Sequence, residues 1–161
     1  MVGCGEKWWS MALTGTFERS LDDKNRIAVP KPLREEFSSA SSAPADDVVQ
    51  LYVAPGQDKS LSLYNKVGFE ALAQRLTSSS SNRAEILNFQ RLLFSRAEKV
   101  DLDSQGRIRI PERLAEFAQL KRDVMLLGVQ DHAEIWDKGV WAEFEQRHAA
   151  RFDEMAQAAF A

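Results

Sequence analysis

The sequence predicts an α+β fold that is rich in β-strands. We expect two tandem copies of one module, packed as an intramolecular pseudo-dimer, with peripheral helices and a long C-terminal helix. The first reason is an internal repeat, because residues 21–33 recur as residues 102–114 at an offset of 81, with six identical positions. The second is size, since each copy offers only a few short strands and cannot bury its own apolar face. The copies should therefore pack on each other.

The similarity between the copies resumes further along the chain. Residues 61–64 and Phe69 match residues 133–136 and Trp141 at an offset of 72, so the second copy has the shorter internal connection. Two copies are too few for a solenoid, which gains its stability by stacking three or more units. A pseudo-symmetric pair is the arrangement that the sequence favours.

The repeated segment itself predicts two strands around a tight turn. In the first copy, residues 16–19 and 26–29 alternate apolar and polar side chains on either side of a turn at 22–25. In the second copy, residues 99–102 and 107–110 alternate likewise around 104–106. The turn position of Gly106 is occupied by Asn25 in the first copy. Glycine and asparagine most readily adopt positive φ, so both turns can share one backbone conformation.

The remaining elements follow from prolines, apolar runs and helical spacing. Pro30 and Pro111 should end a strand and begin short helices at 32–37 and 112–118. The other expected elements are buried strands at 48–53 and 124–129, partner strands at 60–64 and 133–136, Ser-rich loops at 38–47 and 77–82, and an apolar helix at 84–95. The last helix should begin after Asp137 as its N-cap and carry an apolar stripe that needs a groove.

These elements divide the chain into five segments. They are an N-terminal extension at 1–10, a first module at 11–65, connecting helices with a Ser-rich loop at 66–95, a second module at 96–137 and a C-terminal helix at 138–161.

Composition excludes several classes of protein. No apolar run approaches the ~20 residues needed to cross a bilayer, so we expect a cytoplasmic protein without a membrane partner. The single cysteine, Cys4, rules out an internal disulfide framework. The only histidines, His132 and His148, lack the spacing of a metal site, and Asp101 and Asp103 lack a neighbouring acid or base partner. We therefore expect no metal, cofactor, catalytic residue or small-molecule substrate.

The distribution of charge matters more than its sum. The net charge of −3 argues at first against a nucleic-acid partner. Residues 19–34, however, carry five basic side chains against two acidic ones, whereas residues 131–161 carry seven acidic against three basic. The chain is therefore polarised, with a basic module suited to phosphate and an acidic tail.

A resemblance to a known family is carried by residues 15–17, 21–30, 103–111, 127–129 and 134–137. Together these segments resemble the bacterial MraZ family, whose members are tandem proteins of the SpoVT/AbrB swapped-hairpin group, and the similarity extends from Met11 to the final helix. The resemblance implies a regulator of the division and cell-wall gene cluster that is cytoplasmic and nucleoid-associated. It further implies binding to G-rich direct repeats of double-stranded DNA in its own promoter, as a ring-shaped homo-oligomer. The chain departs from the family at residues 1–10, since members usually begin at Met11, and at Asn25, where glycine is usual.

The two Asp-x-x-x-Arg turns are the candidate DNA-binding site. A narrow hairpin tip can enter the major groove, where the planar fork of Arg26 or Arg107 can pair with one guanine. Asp22 and Asp103 would orient these arginines or close the turn through backbone hydrogen bonds. Lys24, Arg19 and Lys31 would contact the DNA backbone and so position the protein on it. The candidate DNA-binding residues are Arg26, Arg107, Lys24, Gln105, Asp22, Asp103, Arg19 and Lys31.

Two other interpretations remain open. Each Asp-x-x-x-Arg segment could be only an ion-paired turn, because turns recruit aspartate and surface ion pairs are common. The whole chain could then be an oligomeric assembly or interaction protein without direct DNA recognition. Nothing in the sequence favours an enzyme. Of the two turns, the first lies within the basic segment and should carry most of the attraction to phosphate.

Overall fold

The computed structural model describes residues 11–39, 49–78 and 83–161. In chain order the elements are β1 (Thr16–Ser20), β2 (Arg26–Ala28), α1 (Lys31–Ser39), β3 (Gln50–Pro55), β4 (Leu61–Asn65), α2 (Lys66–Ser78), α3 (Arg83–Arg96), β5 (Glu98–Asp101), β6 (Arg107–Arg109), α4 (Glu112–Phe117), β7 (Asp123–Gly128), β8 (Ala133–Asp137), α5 (Lys138–His148), a 3₁₀ turn (Ala149–Arg151) and α6 (Phe152–Phe160). All the predicted strands and helices are present, with bounds shifted by a few residues.

Some predictions fall partly or wholly outside the described residues. The N-terminal extension lies outside them, as do most of the two Ser-rich segments. The parts of those segments that are described are helical, because α1 continues through Ser39 and α2 through Ser78. The prediction of loops was therefore wrong for residues 38–39 and 77–78. There the helices continue, because each further helical residue adds one backbone hydrogen bond.

Six strands form one antiparallel sheet in the order β1-β7-β8-β4-β3-β5, and β2 and β6 form a separate two-stranded ribbon. The order is pseudo-symmetric about the β4–β8 pair, with β1 beside β7 on one side and β5 beside β3 on the other. Each copy of the repeat thus contributes strands to both halves of the sheet. The predicted α+β fold with an intramolecular pseudo-dimer is confirmed.

The strands flanking each turn do not pair with each other. β1 pairs with β7 and β2 with β6, so the simple strand–turn–strand hairpin expected from the local sequence is wrong. The exchange agrees with the swapped-hairpin arrangement implied by the resemblance. It joins the two copies, because Ile27 and Ile108 meet at the centre of the ribbon and are each only 1% exposed. One shared core then buries more apolar surface than two separate hairpins could.

The core lies between the six-stranded sheet and a layer made of the ribbon, α1 and α4. Its largest fully buried side chains include Phe37 of α1, Leu114 of α4, Leu51, Leu63 and Leu126 of the sheet. These residues come from both copies of the repeat. The ribbon is thereby fixed to the sheet through its apolar side, and its other side faces outward.

The opposite face of the sheet carries helices α2 and α5, each capped by a side chain at the end of the preceding strand. Asn65 accepts a hydrogen bond from the Gly68 amide at 2.8 Å, and Asp137 accepts one from the Gly139 amide at 3.1 Å. The predicted N-cap at Asp137 is therefore confirmed. Aromatic contacts secure both helices to the sheet, including the Trp136–Trp141 pair with ring centroids 5.1 Å apart.

The C-terminal helix is present as predicted, but a 3₁₀ turn divides it into α5 and α6. The part of its apolar stripe on α5 packs against Trp136, whereas the part on α6 is uncovered, since Phe152 is 70% exposed and Met155 is 42% exposed. In α3 only Leu93 is buried, and Phe89 and Leu92 are half exposed. Among the described residues, no helix combines the length and the hydrophobicity that a membrane crossing would need.

Candidate nucleic-acid interface

The candidate interface is built on the β2–β6 ribbon, which runs from one Asp-x-x-x-Arg turn to the other. Beyond the paired residues 26–28 and 107–109, the Ile110 amide donates to the Asn25 carbonyl at 2.7 Å, and the Val29 amide donates to the Gly106 carbonyl at 2.9 Å. The ladder therefore continues into both turns. With about 3.4 Å per residue, the turns lie at opposite ends of a ribbon ~14 Å long.

Alternation places four side chains on the outer face of the ribbon. Because Ile27 and Ile108 point into the core, the residues on either side of them point outward. Arg26 lies opposite Arg109, and Arg107 lies opposite Ala28. The structure thus brings the arginines of both turns onto one face, about 7 Å apart along the strands.

Each aspartate organises its own turn. Oδ1 of Asp22 accepts hydrogen bonds from the amides of Lys24 (2.9 Å) and Arg26 (2.7 Å), while Oδ2 accepts one from Arg26 Nε at 2.7 Å. Asp103 repeats the pattern with the amides of Gln105 (2.8 Å) and Arg107 (2.9 Å) and with Arg107 Nε at 3.0 Å. Both carboxylates are thus occupied by donors within their own turns.

This arrangement leaves the recognition edge of each arginine available. Only Nε of Arg26 and of Arg107 is bound, and their terminal Nη atoms make no hydrogen bond within the described residues. Those two nitrogens are the pair that can donate to O6 and N7 of a guanine. The bond at Nε holds the guanidinium in place, which lowers the entropic cost of binding.

The same hydrogen bonds keep the carboxylates charged. The amide of Arg26, aided by its side chain and the amide of Lys24, lowers the pKa of Asp22 below its usual value despite some burial. The amide of Arg107 does the same for the pKa of Asp103, together with the amide of Gln105. Both ion pairs are therefore formed at neutral pH.

Both turns use the left-handed conformation that the sequence predicted. Asn25 has a φ of 59° and Gly106 a φ of 75°. Gly106 also makes room for an arginine, because a Cβ there would lie 2.8 Å from Cζ of Arg34. Arg34 belongs to α1 of the first copy, and its Nε donates to the Val29 carbonyl at 3.0 Å. A cation of the first copy therefore lies against the turn of the second.

The other predicted residues are placed differently. Lys24 and Gln105 are exposed at equivalent positions of the two turns, and Lys31 is exposed at the start of α1. Arg19 does not belong to the ribbon. It lies on β1 opposite Val124, with its guanidinium 5.9 Å from the centre of the Phe17 ring.

Two cations of this surface were not among the candidates from the sequence. Arg34 was not selected because its contact with Gly106 crosses from one copy to the other. Arg109 was not selected because the residue at the equivalent position of the first copy is Ala28, so this arginine is not part of the repeated motif. The alternation of residues 107–110 was the available signal, since it places Arg109 on the same side of the strand as Arg107.

Comparison with known proteins gives consistent results over nearly the whole chain. The family model described as MraZ protein, antitoxin-like, matches twice, at residues 12–92 and 93–161. The chain is 36% identical to the transcriptional regulator MraZ of Corynebacterium urealyticum over 91% of this chain and 96% of that protein. It is 32% identical to the proteins of the same name from Syntrophomonas wolfei, over 89% of this chain and 93% of that protein, and from Mycoplasmoides gallisepticum, over 89% and 94%.

Proposed function

This chain belongs to the MraZ family, whose members are transcriptional regulators and not enzymes, and from that premise we propose that its β2–β6 ribbon binds double-stranded DNA sequence-specifically. The observation that carries the proposal is the paired geometry of Arg26 and Arg107. Both lie on one outward face, and each is held at Nε by an aspartate, while its terminal nitrogens bind nothing in the described part of the chain. Two-stranded ribbons fit the major groove, which is about 12 Å wide.

The roles of the eight candidate residues follow from their positions. We assign base recognition to Arg26 and Arg107, and positioning of these arginines to Asp22 and Asp103. The exposed Lys24, Gln105 and Lys31 lie at or beside the turns, where they can contact the DNA backbone. Arg19, on β1, would contribute only at the margin of the interface.

The target and the assembly belong to the same proposal. We propose G-rich direct repeats in the protein's own promoter, upstream of the division and cell-wall genes, bound by a ring-shaped homo-oligomer associated with the nucleoid. One ribbon presents few cations and should bind DNA weakly alone. Linking several subunits can raise the apparent affinity by ~10²- to 10⁴-fold without new contacts. A head-to-tail ring presents each ribbon in the same orientation, which suits direct repeats.

The decisive experiment substitutes the two arginines separately. Arg26→Ala and Arg107→Ala should each weaken binding to promoter DNA about 5- to 150-fold, which is the value of one bidentate contact. Fluorescence anisotropy with a duplex from the promoter measures the affinity. Arg75→Ala is the matched control, because Arg75 lies on α2, on the opposite side of the sheet, and is ion-paired with Asp131 at 3.5 Å. Light scattering should show a large oligomer for all variants, and unchanged affinity with intact folding would disprove the arginine assignment.

The uncovered apolar surface on α3 and α6 favours a second candidate, an assembly protein that does not bind DNA. Salt separates the two, because the affinity of a DNA-binding protein falls as salt concentration rises. The assembly candidate predicts no saturable binding to promoter DNA at any salt concentration.

A further inference from the structure

We infer that Arg109 is a third base-contacting arginine of the ribbon and that it makes the DNA-binding face directional. The inference rests on the proposed function, because it assumes that the outer face of the ribbon meets DNA. It concerns a residue that the Asp-x-x-x-Arg motif does not contain.

The position of Arg109 is fixed by the ladder. It is the direct partner of Arg26 across the two strands and lies on the same face as Arg107, two residues earlier on β6. Directly opposite side chains have Cβ atoms about 5 Å apart, so Arg109 meets whatever surface Arg26 meets. Unlike those two arginines it is exposed.

Electrostatics also indicate an external anion. Like charges directly opposite each other destabilise a strand pair. Asp22 compensates Arg26, but Arg109 makes no hydrogen bond or ion pair within the described residues. The hollow beside it is lined by Glu98, Asp101 and Glu112, of which Glu98 is ion-paired with Arg113. Asp101 and Glu112 offset part of the charge of Arg109, but neither is ion-paired with it within the described residues, so its guanidinium is available to an external anion.

Only the second copy of the repeat has an arginine at the position of Arg109. The position equivalent to Arg109 in the first copy is Ala28, which lies opposite Arg107. One end of the ribbon thus presents two outward arginines on facing strands, and the other end presents one. Arg34 does not restore the balance, because it approaches Gly106 from α1 and does not occupy the strand position opposite Arg107. A backbone with near two-fold symmetry therefore carries an asymmetric set of donors, which fits a target without internal two-fold symmetry.

The test uses one deletion and one charge-matched swap. Arg109→Ala should weaken binding to the promoter duplex about 5- to 150-fold and weaken binding to a shuffled duplex much less. The double variant Ala28→Arg/Arg109→Ala keeps the net charge and moves the guanidinium to the equivalent position of the other strand. It should bind the shuffled duplex like the wild type and the promoter duplex as weakly as Arg109→Ala. Arg109→Gln provides a second deletion if the alanine variant folds poorly by circular dichroism.

The outcomes separate this inference from the proposed function. If Arg26→Ala and Arg107→Ala lose affinity while Arg109→Ala keeps it, the third contact is disproved and the proposed function stands. Wild-type affinity of the swap variant for the promoter duplex would also overturn the inference, since any nearby charge would then suffice. If Arg26→Ala and Arg107→Ala both keep full affinity, the proposed function itself fails.

Discussion

At the scale of single residues, the spacing of the Asp-x-x-x-Arg motif follows from the geometry of one tight turn. A carboxylate at the first position reaches the amides of the third and fifth residues through one oxygen, and its second oxygen reaches Nε of the arginine. Shorter or longer spacing would break this set of three bonds. The sequence alone left two roles open for Asp22 and Asp103, orienting the arginine or closing the turn through backbone hydrogen bonds. Each aspartate makes both kinds of contact, because one oxygen binds turn amides and the other binds Nε of the arginine.

The turn glycine provides the first stability prediction. Gly106→Ala should lower the free energy of unfolding by about 1–2 kcal/mol, because an L-residue is strained at positive φ. The added Cβ would also collide with the guanidinium of Arg34, 2.8 Å away. Urea denaturation followed by tryptophan fluorescence measures the change.

The equivalent position in the other turn is the control. Asn25→Gly should change stability by less than about 0.5 kcal/mol, because asparagine already adopts a φ of 59° there and glycine adopts it freely. If Gly106→Ala and Asn25→Gly lowered the free energy of unfolding equally, the predicted strain at Gly106 and its collision with Arg34 would both be contradicted.

At the scale of elements, the sequence predicted the strands and helices well but not their partners. Alternation of side chains in residues 107–110 and proline at 30 and 111 are local signals, and they located β6, α1 and α4 within a few residues. Pairing depends on distant residues. The turn at 22–25 fits a simple hairpin equally well, and only the burial of Ile27 against Ile108 selects the exchange between copies. The same limitation concealed the contact of Arg34 with the second turn.

The connection between β7 and β8 contains a histidine held by two carboxylates. His132 Nδ1 lies 2.7 Å from Asp131 Oδ1, and Nε2 lies 3.0 Å from Glu134 Oε2. Its ring stacks on Tyr64 at 5.3 Å, and Arg75 approaches Asp131 at 3.5 Å. Burial disfavours the charged ring, but the hydrogen bonds to Glu134 and Asp131 outweigh it and raise the pKa of His132 above its usual value. When the ring is protonated, the imidazolium links both carboxylates.

The sign of this pKa shift predicts how stability depends on pH. A group whose pKa is raised by folding adds stability that is fully present below its unfolded pKa, near 6.5, and is lost as pH rises through the folded value. The free energy of unfolding should therefore decline as the pH is raised above 6.5. Urea denaturation from pH 6 to pH 9 measures this decline.

Two variants identify the histidine responsible. His132→Gln should flatten the pH dependence in this range, because glutamine carries no titrating proton. His148→Gln is the matched control and should leave the decline in place, since His148 contacts the Phe144 ring and lies on α5 outside the cluster. A decline that persists in His132→Gln would assign the effect to another group.

At the scale of the whole molecule, the sheet separates two surfaces with different properties. The ribbon and its arginines lie on one side with α1 and α4, and helices α2 and α5 cover the other. Acidic residues of α5, such as Glu143 and Glu145, are exposed on the helix that packs on the opposite face of the sheet from the ribbon. The net charge of −3 thus concealed a basic face. The sequence indicated this polarity through its charge balance, but the face itself combines residues of both copies, which no single segment reveals.

The exchange of strands makes a prediction about cutting the chain. β1 has its only long pairing with β7, and β5 has its pairing with β3, so each half supplies an outer strand to the other. A fragment of residues 1–80 alone would leave β1 and β2 unpaired, and a fragment of residues 81–161 would leave β5 and β6 unpaired. Unpaired strand edges attract other chains. Neither fragment should therefore form a folded monomer.

Mixing the two fragments should restore the native structure, because every exchanged pairing then has its partner. Circular dichroism and tryptophan fluorescence should recover the spectrum of the intact chain at equimolar ratio. Recovery should require higher protein concentration than folding of the intact chain, since joining two fragments is bimolecular while the connected copies meet at high effective concentration. The decisive control is the fragment of residues 1–80 alone. A cooperative unfolding transition from a monomer of that fragment would mean that the first copy folds independently. The strand exchange would then help to assemble the interface but would not be needed for folding.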